Sequence, residues 1–370
     1  MLQRTFRSSR LLAFCGAVCL MAASADAQAP AAPQPPRPPE HAEGITSAAA
    51  ALAAAPKLTI TNGLIDATVL VPDHQKGFYK GVRFDLAGMV PSLKLRGQEF
   101  YGLWFDGIAP NLRDFVFQDG QIISAPNTAA VGPVDAYDTS DPPGWKAAAP
   151  GGVFLKIGVG LLRKPADGAA YNSFRNYEVV DPGKWTVQSR RDGVVFTHTL
   201  GAAGSDYAYV YRKELRLAAG KPVLEIRHSL KNTGSKPIES STFNHNFFLL
   251  GGSPSKEGLA VSASFPLQPD KPLKDVAKLE GGKLVYARAL GPQEVFSTGF
   301  TAAEGAAYDF GIHDARGVGY RAQADRPLSR IMLWSIRSTV SVEPYVALSA
   351  APGQTTDWTF TYTYAAPPRS

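Results

Sequence analysis

Cysteine is nearly absent from this 370-residue chain: there are two, Cys15 and Cys19, both within the first 27 residues. Beyond Ala27 no thiol remains, which excludes disulfides and thiolate metal sites from the rest of the protein. No long segment carries a 3.6-residue apolar period, and no spacing of about 20 to 50 residues repeats, so helical bundles, solenoids and propellers are excluded. The short catalytic signatures are missing too. There is no G-x-S-x-G elbow, no P-loop, no G-x-G-x-x-G at a strand-to-helix turn and no H-E-x-x-H. The charge excess is mild: +6 in total, or +4 once Arg4, Arg7, Arg10 and Asp26 are set aside (6 − 3 + 1). So small and dispersed an excess does not point to nucleic acid.

What the chain does contain begins with three arginines ahead of an apolar run, Leu11 to Ala23, and an Ala25-Asp26-Ala27 cleavage pattern. Residues 1–27 read as a secretory signal peptide, predicting a periplasmic or secreted protein. The run is too short to span a bilayer, so no stable membrane anchor is expected. Residues 28–56 are mostly Pro and Ala and read as a disordered or extended tether, with a short helix possible near Ser47 to Ala55.

From Lys57 to the end the pattern is β throughout. KLTITNG, LIDATVLV, FLKIGVGLL, GVVFTHTL, YAYVYRKELRL, PVLEIRHSL, AYDFGIHD, SRIMLWSI and DWTFTYTY are short runs of β-branched and aromatic residues cut by Gly, Pro, Asn and Asp. They predict one all-β domain over 57–370, a large antiparallel β-sandwich. Residues 120–152, rich in proline, read as a long loop of the kind that shapes binding sites.

Two strands stand out. In SSTFNHNFFLL, residues 240–250, alternation puts His245 on one face with Phe243, Phe247 and Leu249, while Asn244 and Asn246 face the other way. In SVEPYVALSAAPG, Ser341, Glu343 and Tyr345 share a face. An imidazole among rings is a candidate acid, although a half-buried sheet histidine would leave the same pattern, and a carboxylate between Ser and Tyr reads as the wall of a cleft. Further candidates for contacting a ligand are Arg83, which VRFDLAGMVPSL sets on one strand face with Asp85 and whose guanidinium could hold a hydroxyl or carboxylate or merely pair with that Asp, and Trp334, whose ring could stack on a ligand or pack in the core. Asn244 and Tyr345 complete that group. His198 and His228 occupy apolar rows and read as core histidines.

The N-H-N-F-F strand, the later V-E-P-Y strand, and YRKELRLAAGKPVLEIRHSLKNTG at 211–234 resemble the galactose mutarotase-like (aldose 1-epimerase) superfamily over roughly residues 57–365. The resemblance implies that sandwich, a sugar or oligosaccharide substrate and no metal or organic cofactor. It implies that Glu343, ionised, takes the anomeric hydroxyl proton while His245, protonated, gives one to the ring oxygen. It also implies an arginine in an early strand, a role for which order along the chain offers Lys156 or Arg163. The family's second histidine has no counterpart, since no histidine lies between His74 and His198. A non-catalytic carbohydrate-binding protein, or a glycan-processing enzyme of another kind, is the alternative on the same sandwich.

Overall fold

The computed structural model describes residues 44–367 apart from 110–114, 120, 124–127, 139, 203–204 and 250–256, so the expected signal peptide and most of the expected tether lie outside the described residues. Two antiparallel sheets carry the architecture. One has ten strands, in the order Lys184–Arg190, Gly193–Leu200, Tyr209–Leu217, Val223–Asn232, Thr355–Ala365, Gly319–Pro327, Ala307–His313, Ala260–Ala263, Lys283–Tyr286 and Ala277–Glu280. The other has five: Phe296–Phe300, Arg330–Ile336, Thr339–Ala350, Ile238–His245 and Val134–Tyr137. The expected all-β sandwich is what the chain forms.

Alternation explains the layers. Along Val223–Asn232, Leu224, Ile226, His228, Leu230 and Asn232 are buried while the residues between them are half-buried or exposed, as one buried sheet face requires. The inward rows of this sheet meet Val340, Val342, Val346 and Leu348 of the five-stranded sheet in the main core, with Tyr211, Trp358 and Phe360 among them. Each such apolar side chain contributes roughly 1.5–3 kcal/mol when taken out of water. A second, smaller core lies on the outer face of the five-stranded sheet, where Phe78, Phe84, Met89, Trp104 and Phe105 pack against Phe243, Phe247 and Ile336. Consequently the first half of the Thr339–Ala350 strand is buried on both faces, whereas its second half alternates.

Four expectations change. The tether ends earlier than residue 56: Thr46–Ser47 pairs with Gly107–Ile108, and helix Ala48–Ala54 follows, with Ala48 and Ala55 buried. Ser47 caps the helix by accepting a bond from the Ala50 N–H at 3.3 Å, and Pro56 forces Ala55 into the extended conformation that ends it. FLKIGVGLL is two strands rather than one. Val153–Lys156 and Gly160–Arg163 form a hairpin turning through Gly158, whose φ of 73° suits glycine. The loop expected over 120–152 contains Val134–Tyr137, an edge of the five-stranded sheet. VRFDLAGMVPSL gives no strand around Arg83, only an isolated bridge between Phe84 and Ala136. Among the described residues no helix is long and apolar enough to cross a membrane.

Candidate active site

The outer face of the five-stranded sheet is a grid set by register. Tyr345 lies opposite Phe243 on one side and Arg330 on the other; one step along, Glu343 lies opposite Met332; one step further, Ser341 lies opposite Trp334. Continuing the first pairing by two residues brings His245 beside Glu343. Their Nε2 and Oε1 atoms are 3.1 Å apart, although 98 positions separate the residues in sequence.

The surroundings of His245 are aromatic. Its ring stacks on Phe247 at 3.8 Å and 12°, and Phe247 stacks in turn on Trp104 at 5.2 Å and 9°. Phe84 and Trp334 meet the imidazole edge-on at 5.8 and 5.2 Å. The strand ends at His245, and Phe247 adopts a φ of 39°, a left-handed conformation that bulky residues rarely hold. Clamping between two ring planes holds it there. The neighbouring turn is fixed by Ser341, whose Oγ accepts a hydrogen bond from the Asn246 N–H at 2.9 Å and whose hydroxyl donates to the Glu343 carboxylate.

Burial decides the charge state. It pushes Glu343 up to about 7, against the pull of Arg83, Arg330 and Ser341, and it drives His245 well below its ordinary value, helped by the nearby Arg83 cation. His245 Nδ1 is buried with no hydrogen-bond partner among the described residues, so no acceptor stabilises an imidazolium from behind. Both shifts favour the uncharged pair below about pH 7, a carboxyl and an imidazole placed to share one proton across the 3.1 Å contact. This reverses the expected ionised glutamate and protonated histidine: attraction between two charges does not overcome the loss of water around both.

The candidates divide. Arg83 lies at the rim, its guanidinium 4.0 Å from the Phe174 ring centre and 4.9 Å from that of Phe84. It does not pair with Asp85, which is fully buried on the other side of the segment. Trp334 and Tyr345 belong to the same face as the His–Glu pair, Tyr345 stacking on Phe243 at 4.4 Å with Arg330 5.3 Å above its ring. Three other candidates fall elsewhere. Asn244 is fully buried on the opposite face of its strand and donates to Asp135 Oδ1 at 2.9 Å, because alternation turns it into the core. Lys156 is buried and spends its donors on the backbone carbonyls of Tyr137 and Asp138 and on the Tyr171 hydroxyl at 3.3 Å. Arg163 is on the surface, paired with Glu178 at 2.7 Å, because the Gly158 turn carries its strand back and outward.

Phe84, Trp104, Phe174 and Arg330 complete the surroundings without having been singled out in the sequence. Arg330 alone carried a usable signal, its even spacing with Trp334 along SRIMLWSI. Among the described residues no three His, Cys, Asp or Glu side chains come together to hold a metal ion.

No family model and no curated protein matches the chain in sequence. In structure it is similar to a galactose mutarotase related enzyme from Lactobacillus acidophilus, with 13% identity over 84% of this chain and 97% of that one at a TM-score of 0.48. It is also similar to a galactose mutarotase-like protein from Lactobacillus casei (12%, 84% and 100%, TM-score 0.47) and to the GalM/aldose epimerase homologue from C. elegans (13%, 84% and 99%, TM-score 0.45). The similarity is to the group that the N-H-N-F-F and V-E-P-Y strands resemble. Likeness at this level carries nothing about residues or activity.

Proposed function

We propose that this protein interconverts the anomers of a sugar, with Glu343 and His245 as the acid–base pair. The observation that carries the reading is the 3.1 Å contact between a carboxyl and an imidazole whose protonation preferences have been pushed past each other. So close a pair can serve both oxygens, because the ring oxygen O5 and the anomeric hydroxyl O1 are both bonded to C1, less than a hydrogen-bond length apart. Glu343, carrying the shared proton, delivers it to O5 as the C1–O5 bond breaks, and His245 Nε2 takes the proton from O1, leaving the open aldehyde. After rotation about C1–C2 the imidazolium returns its proton to O1, the new C1–O5 bond forms on the other face, and the carboxylate recovers a proton from O5. Atoms and protons balance, and no cofactor enters. Each transfer is worth about 10² to 10⁴ in rate.

Non-catalytic sugar binding is the second reading, favoured by the small exposure of the pair, 6% and 10% of the two side chains. One experiment separates the two: anomeric exchange of glucose and galactose followed by polarimetry and exchange NMR. Acceleration that declines as pH rises through about 7 is expected, and Glu343→Gln or His245→Asn should lower it by roughly 10² to 10⁴ with sugar binding kept. A wild-type protein that binds sugars and leaves their exchange at the rate of buffer supports the second reading and ends the first.

A further inference from the structure

The Arg330–Ile336 strand continues past the acid–base pair. Met332, Trp334 and Ile336 share one face by alternation, and Met332 lies opposite Glu343. Four residues on, about 13 Å at strand spacing, Ile336 forms the floor of a cleft of about 590 Å³. That volume falls within the range of about 300 to 1,000 Å³ typical of small-molecule sites. Gln118, Asp119, Gln121, Gln293, Arg337 and Ser338 line its walls. Ser338 ties the cleft to the ring stack behind His245, its hydroxyl donating to the Trp104 carbonyl at 2.9 Å. Trp334, partly exposed, stands between the cleft and the pair.

The chemistry of the walls selects a ligand class. Three primary amides, each both donor and acceptor, together with a carboxylate, a guanidinium and a hydroxyl suit neutral groups that donate and accept in many directions. An anion would call for a concentration of cations, and an apolar ligand for an apolar lining. The lining has one cation, Arg337, and its apolar residues, Ile123, Pro292 and Ile336, are three of nine. Sugar hydroxyls fit, and an indole at the junction offers a face to pyranose C–H bonds.

We infer that the ligand is a neutral reducing oligosaccharide: its terminal sugar lies at His245 and Glu343, the next crosses Trp334, and the following unit occupies the cleft lined by Gln118, Gln121 and Gln293. The placement of the terminal sugar rests on the proposed anomer chemistry, whereas the cleft's preference for a longer ligand does not. The test is calorimetric titration of the full chain with glucose and galactose against cellotriose, maltotriose and β-1,4-galactotriose, repeated on the Gln121→Ala/Gln293→Ala variant. Both glutamines are exposed, so the variant keeps the fold. At least one trisaccharide is expected to bind about tenfold more tightly than its own monosaccharide, and that ratio should fall to near one in the double variant. Trisaccharides that bind no better than their monosaccharides, or a ratio that survives the double variant, overturn the inference. A trisaccharide preference without faster anomeric exchange retains the cleft and removes the proposed activity. Fast exchange without the preference does the reverse.

Discussion

The Ile238–His245 strand separates two buried polar clusters that differ in one respect. On its inner face Asn244 joins Asp135, which is held by Lys213 at 2.5 Å; Lys213 also reaches Asp85 at 3.2 Å, and Tyr211 donates to Asp85 at 3.0 Å. On its outer face stand His245 and Glu343. Both clusters hold carboxyls raised by burial, Asp85 to about 6 and Glu343 to about 7. A shifted carboxyl alone would nominate either as a site. The inner cluster is closed: its Lys213 and Asp85 side chains are 1% and 0% exposed, and burial's penalty on the ammonium is outweighed by two carboxylates that raise it. The outer pair touches solvent and leaves one ring nitrogen unpartnered. Openness distinguishes a group arranged to exchange protons from one arranged to join two sheets; an unpartnered atom does not, since Asn244 Oδ1 and both His228 ring nitrogens on the inner side also lack hydrogen bonds among the described residues.

The sharpest way to break that contrast is to remove the inner cation. Lys213→Met would leave two carboxyls buried between the sheets without their countercharge, so a loss of about 3–5 kcal/mol is expected in urea unfolding at pH 8. Adding Asp85→Asn and Asp135→Asn should restore most of it, since removing every charge together also removes the desolvation cost. A Lys213→Met protein within 1 kcal/mol of wild type would show that the inner cluster is not a balanced ionic joint.

The outer pair should behave oppositely. Glu343 is raised in the fold from an ordinary 4.5 to about 7, so the folded state holds a proton that the unfolded chain has lost between those values. Its contribution is fully present below 4.5 and lost as pH rises through about 7, amounting to roughly 3 kcal/mol against stability at pH 8. His245, lowered in the fold, acts the other way, its contribution present above 6.5 and lost on acidification. Glu343→Gln removes the first effect. The variant should match wild type below pH 4.5 and exceed it by that amount at pH 8, measured by denaturant unfolding across the range. A stability difference independent of pH would contradict the raised carboxyl.

How far the sequence carried this reading depended on whether the information was local. Strand alternation placed His245, Phe243, Glu343, Ser341 and Tyr345 on common faces, and the β-branched runs announced the sandwich. Alternation also turns Asn244 away from His245, a constraint that its selection as a sugar contact ignored. What was not legible came from packing at long range. Trp104 reaches the imidazole through Phe247 and Trp334, and Phe84 through a segment bridged to Ala136. The FLKIGVGLL run hid a turn because Val159 and Ile157 flank Gly158 with side chains that suit a continuous strand. That turn sends Lys156 inward and Arg163 outward, so neither reaches the pair.

Arg163 supplies the smallest expected effect and the control for both clusters. Its guanidinium donates to Glu178 at 2.7 and 3.3 Å and to the Gly151 carbonyl at 3.1 Å, a geometry at least as complete as that of Lys213. The difference is water: its side chain is 43% exposed and that of Glu178 62%. Exposed pairs gain little, because solvent screens the attraction and ordering two long side chains costs entropy. Arg163→Ala should therefore leave the urea midpoint close to that of wild type at low salt, closer still at 0.5 M NaCl, and leave the rate of anomeric exchange unaltered. A tenfold loss of exchange in this variant would place the sugar on the hairpin and overturn the assignment of the site to the His245 face. If exchange is retained, burial rather than bond geometry is what separates this pair from the Lys213 cluster.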